Sequence, residues 1–227
     1  MKILNPDSRG DYHIHTSTFS DGFNSIDEIV IHAGQLGLKE IAITDHSQSL
    51  LDAYGYTRRT HYEILHTGRW QNVHNDVKVI FGVEADILNE EGDICDDIQG
   101  FKPDFVILSS HKKIYQGNPE LIKEGYLNAL KRFGSKIKFL GHLCSHQFSD
   151  FLKPDDIVEI VKAANDMEIA VEINGANLMH NKTILENLDA MLSSCNDIYI
   201  NSDAHTLHEF YNAREVCFKY LKENSYL

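Results

Sequence analysis

Histidines and carboxylates recur in this chain at spacings that suit cation binding. In His13-Ile14-His15 the imidazoles alternate, and residues two apart in extended backbone share a face, so both rings can close on one ion. Asp203-Ala204-His205 repeats the pattern near the other end. Between them stand Asp21 in Ser20-Asp21-Gly22, the pair Asp45-His46, Glu84 after Val79-Ile80-Phe81-Gly82-Val83, His111 after Ser109-Ser110, and His142 after Gly141. Each has an ordinary reading on its own. The first pair suits exposed strand-end histidines, Asp21 a turn, Asp45 a helix cap, and His111 or His142 a hydrogen-bonded core imidazole. Glu84 resists this more, because a carboxylate following an apolar strand is costly to bury unless it is paired or binds a metal. Taken together, six histidines and three acids at strand ends or adjoining loops point to a polynuclear metal centre. Mixed imidazole and carboxylate donors suit Zn, Mn or Fe better than Mg or Ca, and such centres activate water for hydrolysis.

The elements that must carry these residues are short β-branched runs alternating with helical periodicity. Candidate strands end near His13, Asp45, Glu84, His111, His142, Ile173 and Asp203, each separated from the next by about one strand plus a crossover helix. Ser25-x-x-Glu28 reads as a capping box ahead of Ile26, Ile29, Val30, Ala33 and Leu36, with Gly37 as the stop. Pro119 and Pro154 sit where first-turn prolines belong. Seven βα units suit a barrel of parallel strands, and an open doubly wound sheet uses the same alternation. The polar residues favour the barrel, which brings the C-terminal ends of its strands together at one mouth.

The chain has 227 residues, enough for one compact domain with a sizeable core. Its formal charge of −13 argues against a phosphate-tracking nucleic-acid surface. Thirteen histidines stand beside four widely spaced cysteines, without the C-x-x-C of a zinc ribbon or redox motif. With no apolar run long enough to span a bilayer and no signal-like N-terminus, the sequence predicts a soluble, cytoplasmic protein with reduced thiols and no membrane partner.

The segments Asp11-Tyr12-His13-Ile14-His15-Thr16, Ser20-Asp21-Gly22, Ile43-Thr44-Asp45-His46, Gly82-Val83-Glu84-Ala85-Asp86-Ile87, Ser110-His111, Gly141-His142, Glu172-Ile173-Asn174 and Ser202-Asp203-Ala204-His205 follow the order and spacing of a known family. Over essentially its whole length the chain resembles the polymerase and histidinol phosphatase (PHP) domain. The resemblance implies a distorted seven-stranded (β/α)7 TIM-like barrel over 1–227, holding three divalent ions (Zn, Mn or Fe) and cleaving phosphate esters. It implies that His13, His15, Glu84 and Asp203 hold one ion. Glu84 bridges to a second ion on His111 and His142, while Asp21, His46 and His205 hold the third. Glu84, His13 and Asp203 then form the catalytic centre of a histidinol-phosphatase-like enzyme that cleaves a small phosphomonoester, such as histidinol phosphate, with a metal-activated hydroxide.

Some positions depart from the family pattern. Relatives place an arginine after the histidine corresponding to His142 or after the E-I-N segment, whereas here those stretches hold His146, and His180 with Lys182. His146, His180 and Lys182 are candidates to replace it, and Arg58 and Arg59 in the long segment after the second strand are further phosphate contacts. Asn174 alternates with Glu172 and is a candidate substrate hydrogen bond. His32, His61, His66, His74 and His208 receive no functional reading. The alternatives are a 3′–5′ exonuclease or phosphodiesterase, an amidohydrolase, and a non-catalytic metal-binding domain. An amidohydrolase requires a bridging lysine where this chain has His111, and a non-catalytic domain is expected to have lost ligands.

Overall fold

A computed structural model describes residues 1–6, 9–56, 68–101, 103 and 105–227. The chain builds β1 (Lys2–Ile3), β2 (Gly10–Asp11), α1 (Ile26–Gln35), β3 (Glu40–Ile43), α2 (Gln48–Tyr54), β4 (Lys78–Phe81), β5 (Val83–Ile87), β6 (Ile94–Cys95), β7 (Val106–Ser109), α3 (Ile122–Phe133), β8 (Ile137–Leu140), α4 (Pro154–Asp166), β9 (Ala170–Asn174), α5 (Gly175–Met179), α6 (Leu185–Ser194), β10 (Asp197–Asn201) and α7 (Leu207–Glu223). One sheet has the order β1-β10-β9-β8-β7-β5-β6 and the other β2-β3-β4. Every pairing is parallel except that of β5 with β6.

This α/β architecture differs from the expected seven-stranded parallel barrel. The strands fall into two sheets, and the strand expected before Glu84 divides at Gly82. Gly82 N–H donates to Ile43 O at 2.8 Å, while Val83 N–H donates to Phe105 O at 3.1 Å, so the chain passes from one sheet to the other at this residue. Glycine permits the close passage, since a Cβ here would stand 2.1 Å from the Phe105 ring. Lone parallel bridges link the sheets at His46–Glu84 and Ile14–Ala204. His13-Ile14-His15 is therefore extended backbone beyond the end of β2, held by that second bridge and by His15 N–H donating to Ala204 O.

Strand alternation separates the apolar residues. Leu108, Leu140, Val171 and Ile198 pack with Ile157, Ile160, Leu188 and Leu192 of α4 and α6. Their strand neighbours Ile107, Phe139, Ala170 and Tyr199 form a smaller inner cluster. This inner cluster is the floor of the polar site, with the Phe139 and His13 ring centroids 6.5 Å apart. The capping box forms: Glu28 N–H donates to Ser25 Oγ and Ser25 N–H to Glu28. It starts α1 so that Ile26, Ile29, Val30 and Ala33 cover β3 residues Ile41 and Ile43. Among the described residues no helix is long and apolar enough to cross a membrane.

Candidate metal centre

The C-terminal ends of the strands and the turns after them bring all nine expected ligand residues into one cluster. Glu84, the second residue of β5, is fully buried. Its Oε1 lies 2.6 Å from His142 Nε2, 3.6 Å from His13 Nε2 and 3.7 Å from His111 Nε2. Its Oε2 lies 2.7 Å from His46 Nδ1 and 3.5 Å from His15 Nε2. Asp203 Oδ1 stands 3.1 Å from His15 Nε2 and 3.4 Å from His13 Nε2. Asp21 Oδ1 lies between His46 Nε2 at 3.4 Å and His205 Nε2 at 3.3 Å.

The donor atoms form three overlapping groups: His15, Asp21, His46 and His205; His13, His15 and Glu84; and His46, Glu84 and His111. Compared with the expected partition, His15 and His46 are each shared between groups. His142 instead meets Glu84 directly through the 2.6 Å contact, and Asp203 flanks the His13–His15 pair. His13 Nε2 and both ring nitrogens of His15 are buried without a hydrogen-bond partner, while His46 Nδ1, Glu84 Oε2 and Asp21 Oδ1 meet their neighbours in close contacts that are not well-directed hydrogen bonds. Leaving such an atom unsatisfied costs about 1–3 kcal/mol, so a convergent set of lone pairs on imidazole and carboxylate fits divalent cations of the Zn, Mn or Fe type.

The electrostatics follow from this crowding. Burial opposes charge on Glu84, yet the imidazoles of His111, His46, His13 and His142 hold its carboxyl well below the usual range. Burial and the neighbouring rings of His46 and His205 push His15 down to about 3, which keeps it neutral and able to ligate. His205 moves up to about 9; burial opposes this, but the close contact with Asp21 and the charges of Asp203 and Asp21 outweigh it. The backbone bends sharply to deliver two of the residues, with φ of 26° at His142 and 54° at Asp203. Left-handed conformations at non-glycine residues cost about 1–3 kcal/mol and persist where the surroundings enforce them.

A further set of carboxylates orients the imidazoles. His13 Nδ1 donates to Glu172 Oε1 at 2.9 Å, and His111 Nδ1 donates to Asp86 Oδ1 at 2.6 Å. Both contacts turn Nε2 toward Glu84. Alternation puts Glu172 on the same face of its strand as Asn174, and the sequence reading gives Asp86 no role. Its signal was the same alternation, Glu84-Ala85-Asp86, which puts both carboxylates on one face of β5. Asp45 lies just outside the ligand set. Its carboxylate accepts from Thr16 N at 2.6 Å, Thr16 Oγ1 at 2.7 Å and Ser20 Oγ at 2.5 Å, holding the turn that carries Asp21. Burial raises its pKa to about 6 against these bonds. Asp45→Asn turns an amide toward donors and is expected to cost about 1–3 kcal/mol of stability, measured by urea unfolding. An unchanged unfolding midpoint would show that the three bonds contribute nothing net.

The cluster opens into a cleft of about 350 Å³. Its lining joins the ligand residues Asp21, His46, His111, His142, Asp203 and His205 to Leu50, Tyr54, Gln147, Ala176, Asn177, His180, Lys182 and Glu209. Two expected substrate contacts lie elsewhere. Asn174 donates to Glu172 at 2.9 Å and Asp203 at 3.0 Å and accepts from Asn177 N, so it braces Asp203 and caps α5. His146 is exposed and its Nδ1 lies 3.3 Å from Lys182 O, leaving its neighbour Gln147 to face the cleft. Arg58, Arg59, His61 and His66 lie outside the described residues. Lys112 stands over the Phe151 ring, 5.9 Å from its centroid. His32 and His74 are engaged on the surface with Gln35 and Asp27.

The chain is similar to known proteins in sequence and in fold. The chain is 27% identical over 201 residues to a probable phosphatase of Serratia proteamaculans, covering 86% of this chain and 78% of that protein. It is 26% identical over 220 residues to the probable phosphatase YcdX of Escherichia coli O81, covering 93% and 84%. Its fold is similar to that of a histidinol phosphate phosphatase from Lactococcus lactis, solved with zinc, L-histidinol and phosphate, with a TM-score of 0.58, 21% identity and 93% of each chain covered. The family model described as PHP domain matches residues 11–176, the span that supplies seven of the nine clustered residues, and the chain therefore belongs to the PHP domain family.

Proposed function

We propose that this PHP-domain protein is a metal-dependent phosphatase that hydrolyses a small phosphomonoester at a trinuclear centre. The observation that carries the reading is Glu84, fully buried among five imidazoles, with unsatisfied donor atoms around it. In this reading His13, His15, Glu84 and Asp203 hold one ion, Glu84, His111 and His142 a second, and Asp21, His46 and His205 a third. The two sheets then act as a distorted barrel, and residues 1–227 work as one catalytic domain in the cytoplasm.

When bound, the ions supply Lewis acidity toward phosphoryl oxygens and lower the pKa of water beside them. The polypeptide's share is charge and orientation. Glu84 supplies the central negative charge, His13 and Asp203 face it from the opposite wall, and Glu172 and Asp86 fix the ring orientation of His13 and His111. Asn174 positions Asp203 by hydrogen bond. The cleft volume suits a small ester, and the net charge of −13 disfavours a polyanionic strand.

The test compares metal-loaded protein on an aryl phosphate and on labelled single-stranded DNA. Phosphate release from the first and no nucleotide release from the second is expected; the reverse result would replace this reading with a nuclease. Glu172→Gln and Asp86→Asn are each expected to weaken metal affinity about 10- to 100-fold in a metal titration. Wild-type affinity in both would remove the orienting role assigned to these carboxylates.

A further inference from the structure

The cleft wall formed by residues outside the ligand cluster is where the leaving group must lie if the phosphoryl group sits against the ions. Three groups there are available to a ligand. Lys182 is exposed and makes no ion pair among the described residues. Gln147 uses its Oε1 to accept from Lys112 N, which leaves its amide donors toward the cleft. Asn177 engages its backbone, donating to Asn174 Oδ1 and accepting from Lys182 N, and keeps its side chain available.

Lys182 is held in place by the backbone. Its N–H donates to Asn177 O at 2.7 Å, its carbonyl accepts from His146 N at 2.8 Å, and the adjoining bridge Ser145–Thr183 ties the segment to the turn after β8. The acid on the same wall is already occupied: Glu209 accepts from His180 Nε2 at 2.8 Å, from the backbone of His205 at 2.9 Å and Thr206 at 3.0 Å, and from Thr206 Oγ1 at 3.1 Å. An incoming ammonium thus meets a satisfied carboxylate and an uncompensated lysine, while an incoming anion meets the lysine and two amide donors.

We infer that Lys182, with Gln147 and Asn177, forms an anion subsite for the leaving group, so that the preferred substrate is a phosphomonoester whose alcohol portion carries a second negative charge. This rests on the phosphatase reading and deepens it by naming the class of ester. It also sets the chain apart from an enzyme whose leaving group carries an amine, which Lys182 repels.

The test uses metal-loaded protein and three esters on one two-carbon frame: phosphoglycolate, ethyl phosphate and phosphoethanolamine. Wild-type kcat/KM is expected to fall in that order. Lys182→Gln is expected to lower the phosphoglycolate value about fivefold, the scale of an exposed charge pair, and to leave ethyl phosphate nearly unchanged. Lys182→Arg should keep the order and Lys182→Glu should invert it. An equal loss on all three esters in Lys182→Gln would overturn the inference, placing the lysine on the transferred phosphoryl group, and so would unchanged ratios. Failure of the wild type to hydrolyse an aryl phosphate overturns the phosphatase reading and this inference together. Aryl phosphate hydrolysis with equal rates on the three esters overturns this inference alone.

Discussion

Glu84→Gln is expected to reduce phosphatase activity on the order of 10³-fold and to lower the metal content of the purified protein. The substitution keeps the shape of the side chain and removes its charge. Glu84 is fully buried, and five imidazoles lie within 3.7 Å of its oxygens. In the proposed centre Glu84 would be shared by two of the ion sites, so the amide would remove an anion common to both. Loss of one preorganised electrostatic contact at a reacting centre costs about 10²–10³-fold, and this residue supports two such sites. Rates on an aryl phosphate, elemental analysis and a circular dichroism spectrum together decide the outcome. Wild-type rate with full metal content and a native spectrum would end the role assigned to Glu84.

The centrality of Glu84 was visible in the sequence for a physical reason. A carboxylate that directly follows a strand-like apolar run is buried along with that run, and burial demands a partner. The same logic located His13, His15, Asp203 and His205, since period-two alternation is a local property that survives even where the backbone leaves regular pairing, as it does at His13-Ile14-His15. Sheet membership is not local. Nothing in Val79-Ile80-Phe81-Gly82-Val83 states that its first residues pair with β3 and its last with β7; that division depends on the approach of Phe105 to Gly82, from more than twenty residues away. The hairpin strand β6 and the two-residue β1 are too short to show periodicity.

The substrate wall was harder to read for a related reason. Asn174 and His146 have the right residue types and the right neighbours in sequence, yet Asn174 spends its amide on Glu172, Asp203 and Asn177, and His146 lies beside the carbonyl of Lys182. Two of these partners, Asp203 and the Lys182 carbonyl, come from remote parts of the chain. Lys182 was indistinguishable from a surface lysine until the Ser145–Thr183 bridge placed its segment against the cleft. Likewise, the orienting carboxylates Asp86 and Glu172 could be assigned to a face of their strands from alternation alone, whereas the imidazole each one meets is set by the neighbouring strand end.

Removing the metal is expected to lower the melting temperature by roughly 8–16 °C, with recovery when Zn, Mn or Fe is restored. A ligand that binds only the native state at a thousandfold excess over its Kd stabilises it by about 4 kcal/mol. In a chain of this size each kcal/mol shifts the midpoint by about 2–4 °C, which gives the range. The cluster argues for coupling of this strength. It gathers three carboxylates and six imidazoles from both ends of the chain, at Asp21, Glu84 and Asp203 and at His13, His15, His46, His111, His142 and His205, into contacts that the unfolded chain cannot assemble. His13-Ile14-His15 and Asp203-Ala204-His205 meet at the Ile14–Ala204 bridge, so ligation across that seam adds to the connection between the sheets. Thermal unfolding followed by circular dichroism, with and without a chelator, measures the shift, and Glu84→Gln should shrink it. If the chelated and loaded proteins melt together, the site is preformed by packing alone, and the buried atoms without partners must be satisfied by something other than a cation.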